Sequence, residues 1–327
     1  MITEPTLSSY AEPGRAFGLS SLYGSLGERI RSALEDRAVC EIMLNPDGRL
    51  FVEYACGEIR DEGRVGEHEA ESVVRSLATI LNRSLDLSSP ILSGELPPSY
   101  SRFEGLLPPL AERACFSIRK HRALNLTLDD LLGGGVLTVP QAAVLREAIV
   151  ARRSLIIMGQ TGTGKTTMLN ALLNELALLC PHERLVSIED TRELQLGCAN
   201  HLCLRCSARA DHSVLIRSAL RMRPDRIILG EVRGREALDL IDAFATGHEG
   251  SMATLHAGSV EQGLSRLCLL VSRHEAAPRH IEQTVAGALD LLVLIRRHPR
   301  RHVAAVARVL GYHNGTFNYE YIGDQHE

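Results

Sequence analysis

Residues 159–167 read GQTGTGKTT, a complete G-x-x-x-x-G-K-[ST] loop that decides the fold of the second half of the chain. Glycines in such a loop let the backbone curl, so that successive N–H groups and the N-terminus of the next helix point at one anion. The flanks fit: residues 154–158 predict a buried strand, and leucines at positions 169, 172, 173 and 176 have helical spacing. The stretch therefore predicts a nucleoside triphosphate site.

Each part of this loop has an expected task. Lys165 is placed to reach the β- and γ-phosphates, and the Thr166 hydroxyl is placed to coordinate Mg²⁺. The residues expected to hold the nucleotide are Gly159, Gln160, Thr161, Gly162, Thr163, Gly164, Lys165, Thr166 and Thr167.

The composition fits a chain with more than one folded core. The chain has 327 residues, 45% of them hydrophobic, and domains usually contain roughly 100–200 residues. A formal net charge of -4 and an aromatic content of 4% argue against nucleic acid as a direct ligand. The N-terminus resembles no secretion signal and no stretch is apolar enough to span a membrane, so we expect a cytoplasmic protein whose eight cysteines are reduced.

Four residues within nine positions have the types that bind zinc: Cys198, His201, Cys203 and Cys206. However, residues 200–206 alternate apolar and polar side chains as a strand does. On a strand, Cys203 and Cys206 face opposite sides of the sheet and do not share one metal. We therefore expect ordinary thiols here.

The chain is predicted to be an α/β protein with two domains. Residues 1–23 lack a period and predict a flexible arm, and residues 24–132 predict a smaller α+β domain that includes a β-hairpin. Residues 133–137 contain three successive glycines and predict a linker that acts as a hinge. In residues 138–327 strands and helices alternate, which is typical of a doubly wound α/β domain.

Three further segments place groups suited to phosphoryl transfer at the ends of predicted strands. Glu189 is expected to orient or deprotonate the attacking water, and Glu231 is expected to coordinate Mg²⁺, partly through water. His256 ends a strand from which it is expected to contact the γ-phosphate. The alternatives are that Glu189 and Asp190 cap a helix and that His256 is an ordinary packed residue.

In their order along the chain, these segments resemble the bacterial secretion ATPase superfamily. Residues 159–167, 188–191, 220–231 and 246–257 are similar to its Walker A, Asp box, Walker B and His box, respectively. Four motifs in one order make the resemblance specific.

The N-terminal half carries the resemblance further. Residues 41–48, 101–109 and 116–120 are similar to the conjugal-transfer branch of that superfamily, the TrbB-like ATPases. Altogether the resemblance spans roughly residues 25–312.

The resemblance implies a RecA-like P-loop domain and a hexameric motor that hydrolyses ATP with Mg²⁺ to power type IV secretion, conjugal transfer and pilus assembly. It implies homohexamers in the cytoplasm, peripherally associated with the inner membrane and with other secretion subunits there, without direct contact to nucleic acid. The catalytic residues that it implies are Lys165, Glu189, Glu231, His256, Arg102 and Arg119.

The two arginines in that set correspond to N-terminal-domain residues that reach over the nucleotide, where cations stabilise transition-state charge. Their alternative is a surface ion pair.

For the whole chain, one rival is a nucleotide-gated assembly scaffold with little turnover. A second rival is a pilus or type II-like secretion ATPase. A DNA-translocating ATPase is disfavoured by the acidic balance and the few aromatic residues.

Overall fold

The computed structural model describes residues 22–97, 100–120, 126–207 and 209–323. The chain divides into two compact units, Met1–Arg122 and Ala123–Glu327. Nearly all of the predicted arm, residues 1–21, lies outside the described residues. In the described ranges, no helix combines the length and the apolar character that crossing a membrane requires.

The first unit is an antiparallel sheet with an apolar core against helices α1 (Gly27–Glu35) and α2 (Glu67–Ile80). Its strand order is β3-β2-β1-β6-β5-β4. The predicted hairpin is present, since β1 and β2 pair on either side of the Asn45–Gly48 turn. The strands are β1 (Val39–Leu44), β2 (Arg49–Tyr54), β3 (Ile59–Arg64), β4 (Ile91–Leu96), β5 (Ser101–Leu106) and β6 (Cys115–Arg119).

The second unit is built on an eight-stranded sheet of order β14-β13-β12-β7-β11-β10-β8-β9. Strands β7 to β12 run parallel, and β13 and β14 add an antiparallel edge. The strands are β7 (Leu155–Gly159), β8 (Leu185–Glu189), β9 (His201–Arg205), β10 (Arg226–Val232), β11 (Met252–Leu255), β12 (Leu291–Arg296), β13 (His302–His313) and β14 (Thr316–Tyr321). The helices are α3 (Leu128–Gly133), α4 (Val139–Val150), α5 (Lys165–Leu179), α6 (His212–Ala219), α7 (Glu236–Ala245), α8 (Val260–Val271) and α9 (Ile281–Ala288).

Helices cover both faces of this sheet, as the doubly wound prediction requires. Alternate residues of β7 belong to different cores: Ile156 lies in the core with α6 to α9, whereas Ile157 lies in the core with α3 to α5. A strand that is buried on both faces has no polar side, which explains the continuous apolar run before the glycine-rich loop.

The division between the units falls earlier than the predicted linker. Thr127 caps α3 through a capping box with Asp130, and Leu128 and Leu131 are buried in the core of the second unit. Residues 133–135 therefore end a helix inside the second unit, and their role as a hinge stays a prediction. A run of glycines marks a helix end as readily as a domain boundary.

Candidate functional site

The loop at residues 159–167 needs glycine at particular positions. Gly162 and Gly164 have φ angles of 73° and 99°, which strain any residue with a Cβ atom. A Cβ atom at Gly159 would lie 2.7 Å from the carbonyl oxygen of Ile295 on β12. The spacing of the glycines thus follows from backbone geometry and from close strand packing.

Lys165, the first residue of α5, holds its ammonium group inside the loop. Its Nζ donates to the carbonyl oxygens of Gly159 and Gln160, each at 3.1 Å, and lies 3.2 Å from Nδ1 of His256. The residue is only 8% exposed. A positive charge is therefore fixed at the end of β7, where α5 also presents its N-terminal N–H groups. Thr166 and Thr167 follow on the first turn of α5 and are partly buried.

Parallel pairing aligns the ends of the central strands at one edge of the sheet. Met158 of β7 pairs with Leu255 of β11, and Ile188 of β8 pairs with Leu229 of β10. Each predicted group lies at or just beyond these positions: the loop follows Met158, and the other three are Glu189, Glu231 and His256.

His256 bridges Lys165 and Glu231 directly. Its Nε2 lies 2.9 Å from Oε1 of Glu231, opposite the Nδ1 that faces the ammonium group. Because an ammonium group can only donate, the network assigns Nδ1 as the acceptor and places the proton on Nε2. Burial and the charge of Lys165 lower the pKa of His256, which favours this neutral form.

Glu231 is held as a carboxylate by cations around it. Burial opposes ionisation, but the hydrogen bond and charge of Arg233, with His256 and Lys165, leave its pKa below the usual value. Arg233 donates to Glu231 at 2.6 Å and to Asp190 at 2.9 Å. One polar chain therefore runs from the loop across three strand ends.

Glu189 is more deeply buried than Glu231, with 5% of its surface exposed. Its Oε1 accepts from the backbone N–H groups of Glu193 and Leu194, at 2.9 and 2.8 Å. Burial raises the pKa of Glu189 to about 7. The helix-cap alternative is not seen, since residues 191–200 form no helix.

Arg102 and Arg119 lie in the first unit and are directly opposite each other on β5 and β6. Their neighbours Phe103 and Ile118 are fully buried, so the arginines lie on the other face of that sheet. In register, Glu95 of β4 flanks Arg102, and Glu41 of β1 flanks Arg119. The two cations thus stand side by side in one row across the sheet.

The sequence analysis missed a group of arginines beside the phosphate-binding loop. Nη2 of Arg301, between β12 and β13, lies 3.3 Å from the carbonyl oxygen of Gly162. Arg297 lies 3.9 Å from where a Cβ atom of Gly162 would be. The available signal was the four arginines within residues 296–301 directly after a buried strand.

Of the four zinc-type residues, Cys203 and Cys206 lie on opposite faces, as predicted. Cys206 packs with Leu202 and Leu204 against the core, whereas Cys203 is exposed. The imidazole of His201 contacts the carbonyl oxygen of Cys198.

Comparisons with known proteins agree with the order of the motifs. Residues 102–316 match the family model described as type II/IV secretion system protein. The chain is 41% identical to a probable conjugal transfer protein TrbB of Sinorhizobium fredii, over 91% of this chain and 92% of that protein. It is 40% identical to a conjugal transfer protein TrbB of Rhizobium radiobacter, over 94% of each.

Among solved structures, the pilus retraction motor PilT with bound ADP shares the fold, with a TM-score of 0.61 and 17% identity over 85% of this chain and 81% of that chain. The family model covers well over half of the chain, and both TrbB relatives align along nearly all of it. The chain therefore belongs to the type II/IV secretion system protein family, as a TrbB-like type IV secretion traffic ATPase.

Proposed function

We propose that this chain hydrolyses ATP in a Mg²⁺-dependent reaction, through a RecA-like P-loop domain in its second unit. It works as a homohexameric ring in the cytoplasm, peripherally bound at the inner membrane with other secretion subunits. There it powers conjugal transfer or another type IV secretion process, including pilus assembly. The observation that carries the proposal is the Lys165–His256–Glu231 contact beside a glycine-rich loop.

The residues at this sheet edge suit a triphosphate. Lys165 and the N-terminus of α5 supply positive charge for the phosphates, and Arg301 adds a further cation beside the loop. His256 touches both Lys165 and Glu231, so it is placed to respond when either group changes partner. We assign it a sensing role on that ground.

The donor set also suits Mg²⁺, which prefers oxygen ligands and retains several waters. Thr166 offers a hydroxyl on the first turn of α5, and Glu231 offers a carboxylate that its low pKa keeps ionised. Bound Mg²⁺ supplies charge neutralisation at the phosphates. Arg233 and His256 hold that carboxylate in place.

Glu189 is the proposed base or orienting group for the attacking water. A carboxylate with a pKa of about 7 is matched to proton transfer near neutral pH. The backbone N–H groups of Glu193 and Leu194 fix one of its oxygens. Arg102 and Arg119 are proposed to add cations from the first unit, on the strength of the family resemblance.

Replacing Lys165 with Ala tests the proposal. This change removes the ammonium group from the loop, so ATP turnover should fall to background and ATP affinity should fall as well. A matched control is Arg153→Ala, which removes a half-exposed cation paired with Asp290 at the opposite end of the same strands. Steady-state phosphate release and equilibrium binding of a labelled ATP measure both effects.

Unchanged turnover in the Lys165 variant would contradict the proposal. The same assays distinguish the scaffold alternative. ATP binding by the wild type without turnover, even with membranes and partner subunits added, would identify a nucleotide-gated scaffold.

A further inference from the structure

A cysteine, a histidine and an aspartate meet beside the candidate site without a role in the proposed function. Each of Asp190, Cys206 and His212 offers one ligand atom, and these three atoms lie within 4.8 Å of one another. Among the residues that the structure describes, no other group of this kind is found.

Three separate elements hold the cluster. Strands β8 and β9 pair in parallel with Glu189 opposite Arg205. Asp190 therefore comes directly after the end of β8, and Cys206 comes directly after the end of β9. The N–H of Cys206 donates to the carbonyl oxygen of Glu189 at 2.9 Å, which fixes that strand end. His212 begins α6, and Asp211 caps this helix. The three side chains are therefore held by strand pairing and by a helix cap.

The three side chains of the cluster are exposed to solvent to different extents. Cys206 packs against the apolar core, and the His212 side chain is 13% exposed. The Asp190 side chain is 37% exposed and forms the open side of the cluster. Nε2 of His212 lies 3.5 Å from Oδ1 of Asp190. Two ligands are thus shielded, and the third opens to water, the arrangement of a site with three protein ligands and one exchangeable position.

From this arrangement we infer that Asp190, Cys206 and His212 form a binding site for Zn²⁺ that is separate from the Mg²⁺ site of the nucleotide. Sulfur, nitrogen and oxygen ligands together suit Zn²⁺, whereas Mg²⁺ demands an all-oxygen set. Binding replaces the thiol proton of Cys206 and releases it to solvent. Neighbouring acids, Asp211 and Glu236, add negative charge that favours a cation here.

The cluster is connected to the nucleotide site through one arginine. Arg233 donates to the second oxygen of Asp190 and to Glu231. A cation on Asp190 competes with Arg233 for that carboxylate. Zinc bound to Asp190 therefore weakens the contact of Arg233 with Asp190, and Arg233 is also a partner of Glu231. This effect requires no nucleotide.

The test is Zn²⁺ binding to the full chain in the absence of nucleotide, under reducing conditions, by calorimetry. We expect one Zn²⁺ per chain in the wild type. Cys206→Ser should weaken the affinity by at least about tenfold, because loss of a ligand costs no less than loss of an outer-shell partner. The matched control is Cys203→Ser, on the opposite face of the same strand, which should leave the affinity unchanged.

Cobalt supplies a second readout that is independent of affinity. Co²⁺ should give a thiolate-to-metal charge-transfer band in the wild type and in Cys203→Ser, and no such band in Cys206→Ser. If Cys206→Ser fails to fold, His212→Ala is compared with His201→Ala in the same Zn²⁺ titration. Unchanged Zn²⁺ affinity in the Cys206 or His212 variant, or a band that persists without Cys206, would overturn the site.

Discussion

At the scale of single residues, two carboxylates at one sheet edge have opposite electrostatic environments. Glu231 accepts a hydrogen bond from Arg233 and lies beside His256 and Lys165, and these groups lower its pKa. Glu189 has no such cation bonded to it among the hydrogen bonds and ion pairs found in the described residues, and burial raises its pKa to about 7. Groups whose pKa values are separated in this way suit different tasks, one as a charged metal ligand and one as a proton acceptor.

The raised pKa of Glu189 predicts a pH-dependent stability difference. The folded state holds the Glu189 proton up to about pH 7, whereas the unfolded chain loses it near pH 4.5. Stability from this group is therefore present at low pH and is lost as the pH rises between these values. Glu189→Gln carries no such penalty, so its stability relative to the wild type should increase between pH 5 and pH 8, by up to about 3 kcal/mol.

Urea unfolding of both proteins at the two pH values measures this change. The matched control is Glu193→Gln, which removes a carboxylate from the same loop and keeps the backbone N–H of residue 193. Gln195→Glu does not serve as a control, because it adds a charge. If the difference in unfolding free energy between Glu189→Gln and the wild type stays constant with pH, the pKa of the Glu189 carboxyl is not raised.

At the scale of elements, a buried arginine joins the strands of the second unit at the end opposite the candidate site. Arg226 is fully buried and donates to Glu183 at 2.5 Å and to the carbonyl oxygen of Ile149 at 2.8 Å. A Cβ atom at Gly250 would lie 2.6 Å from its guanidinium group, which explains one glycine of the His box.

Arg226→Met should destabilise the second unit by about 3–5 kcal/mol, because Glu183 and the backbone carbonyls lose their buried partner. The control, Arg152→Met, removes the other arginine bound to Glu183, from a position that is 36% exposed. Its cost should be nearer to 1 kcal/mol, as for partly exposed ion pairs. Urea unfolding gives both values, and equal losses would contradict the assigned role of Arg226.

The sequence predicted elements best where local chemistry determines them. The predicted β-hairpin is present as β1 and β2, and Thr127 and Thr138 each begin a helix with a capping box formed with the residue three positions on. Strand β3 was missed because nearly all its residues are exposed, so buried and exposed positions do not alternate along it. Strands β13 and β14 were missed because they follow an arginine-rich loop that indicates only a solvated surface.

The candidate site, too, could be predicted from the sequence only where local patterns determine it. The glycine spacing identified the loop, and the carboxylates after apolar runs identified strand ends. The contact of His256 with both Lys165 and Glu231 depends on the order and register of β7, β11 and β10, which no local pattern contains. The sequence analysis rejected a site shared by the four zinc-type residues, but it could not show that Cys206 lies near residues next to β8 and on α6 instead of its neighbours in sequence.

At the scale of the whole molecule, the proposed motor is a closed ring of six chains. In such a ring each chain uses the same pair of surfaces, so assembly ends at one defined mass. With ATP and Mg²⁺ present, and with Glu189→Gln to slow hydrolysis, light scattering should give about six times the chain mass of 35.8 kDa. A single-chain mass at every protein concentration, with nucleotide bound, would contradict the ring.

The central claim is that a triphosphate bound at residues 159–167 is cleaved by groups from neighbouring strand ends. The most direct test measures ATP binding and ATP hydrolysis together in the wild type, Glu189→Gln and the control Glu193→Gln. Glu189→Gln should bind ATP with nearly wild-type affinity and lose at least about 100-fold in turnover, the usual contribution of a general base, while the control retains both. Equal loss of binding and turnover in Glu189→Gln, or full turnover without the carboxylate, would contradict the account.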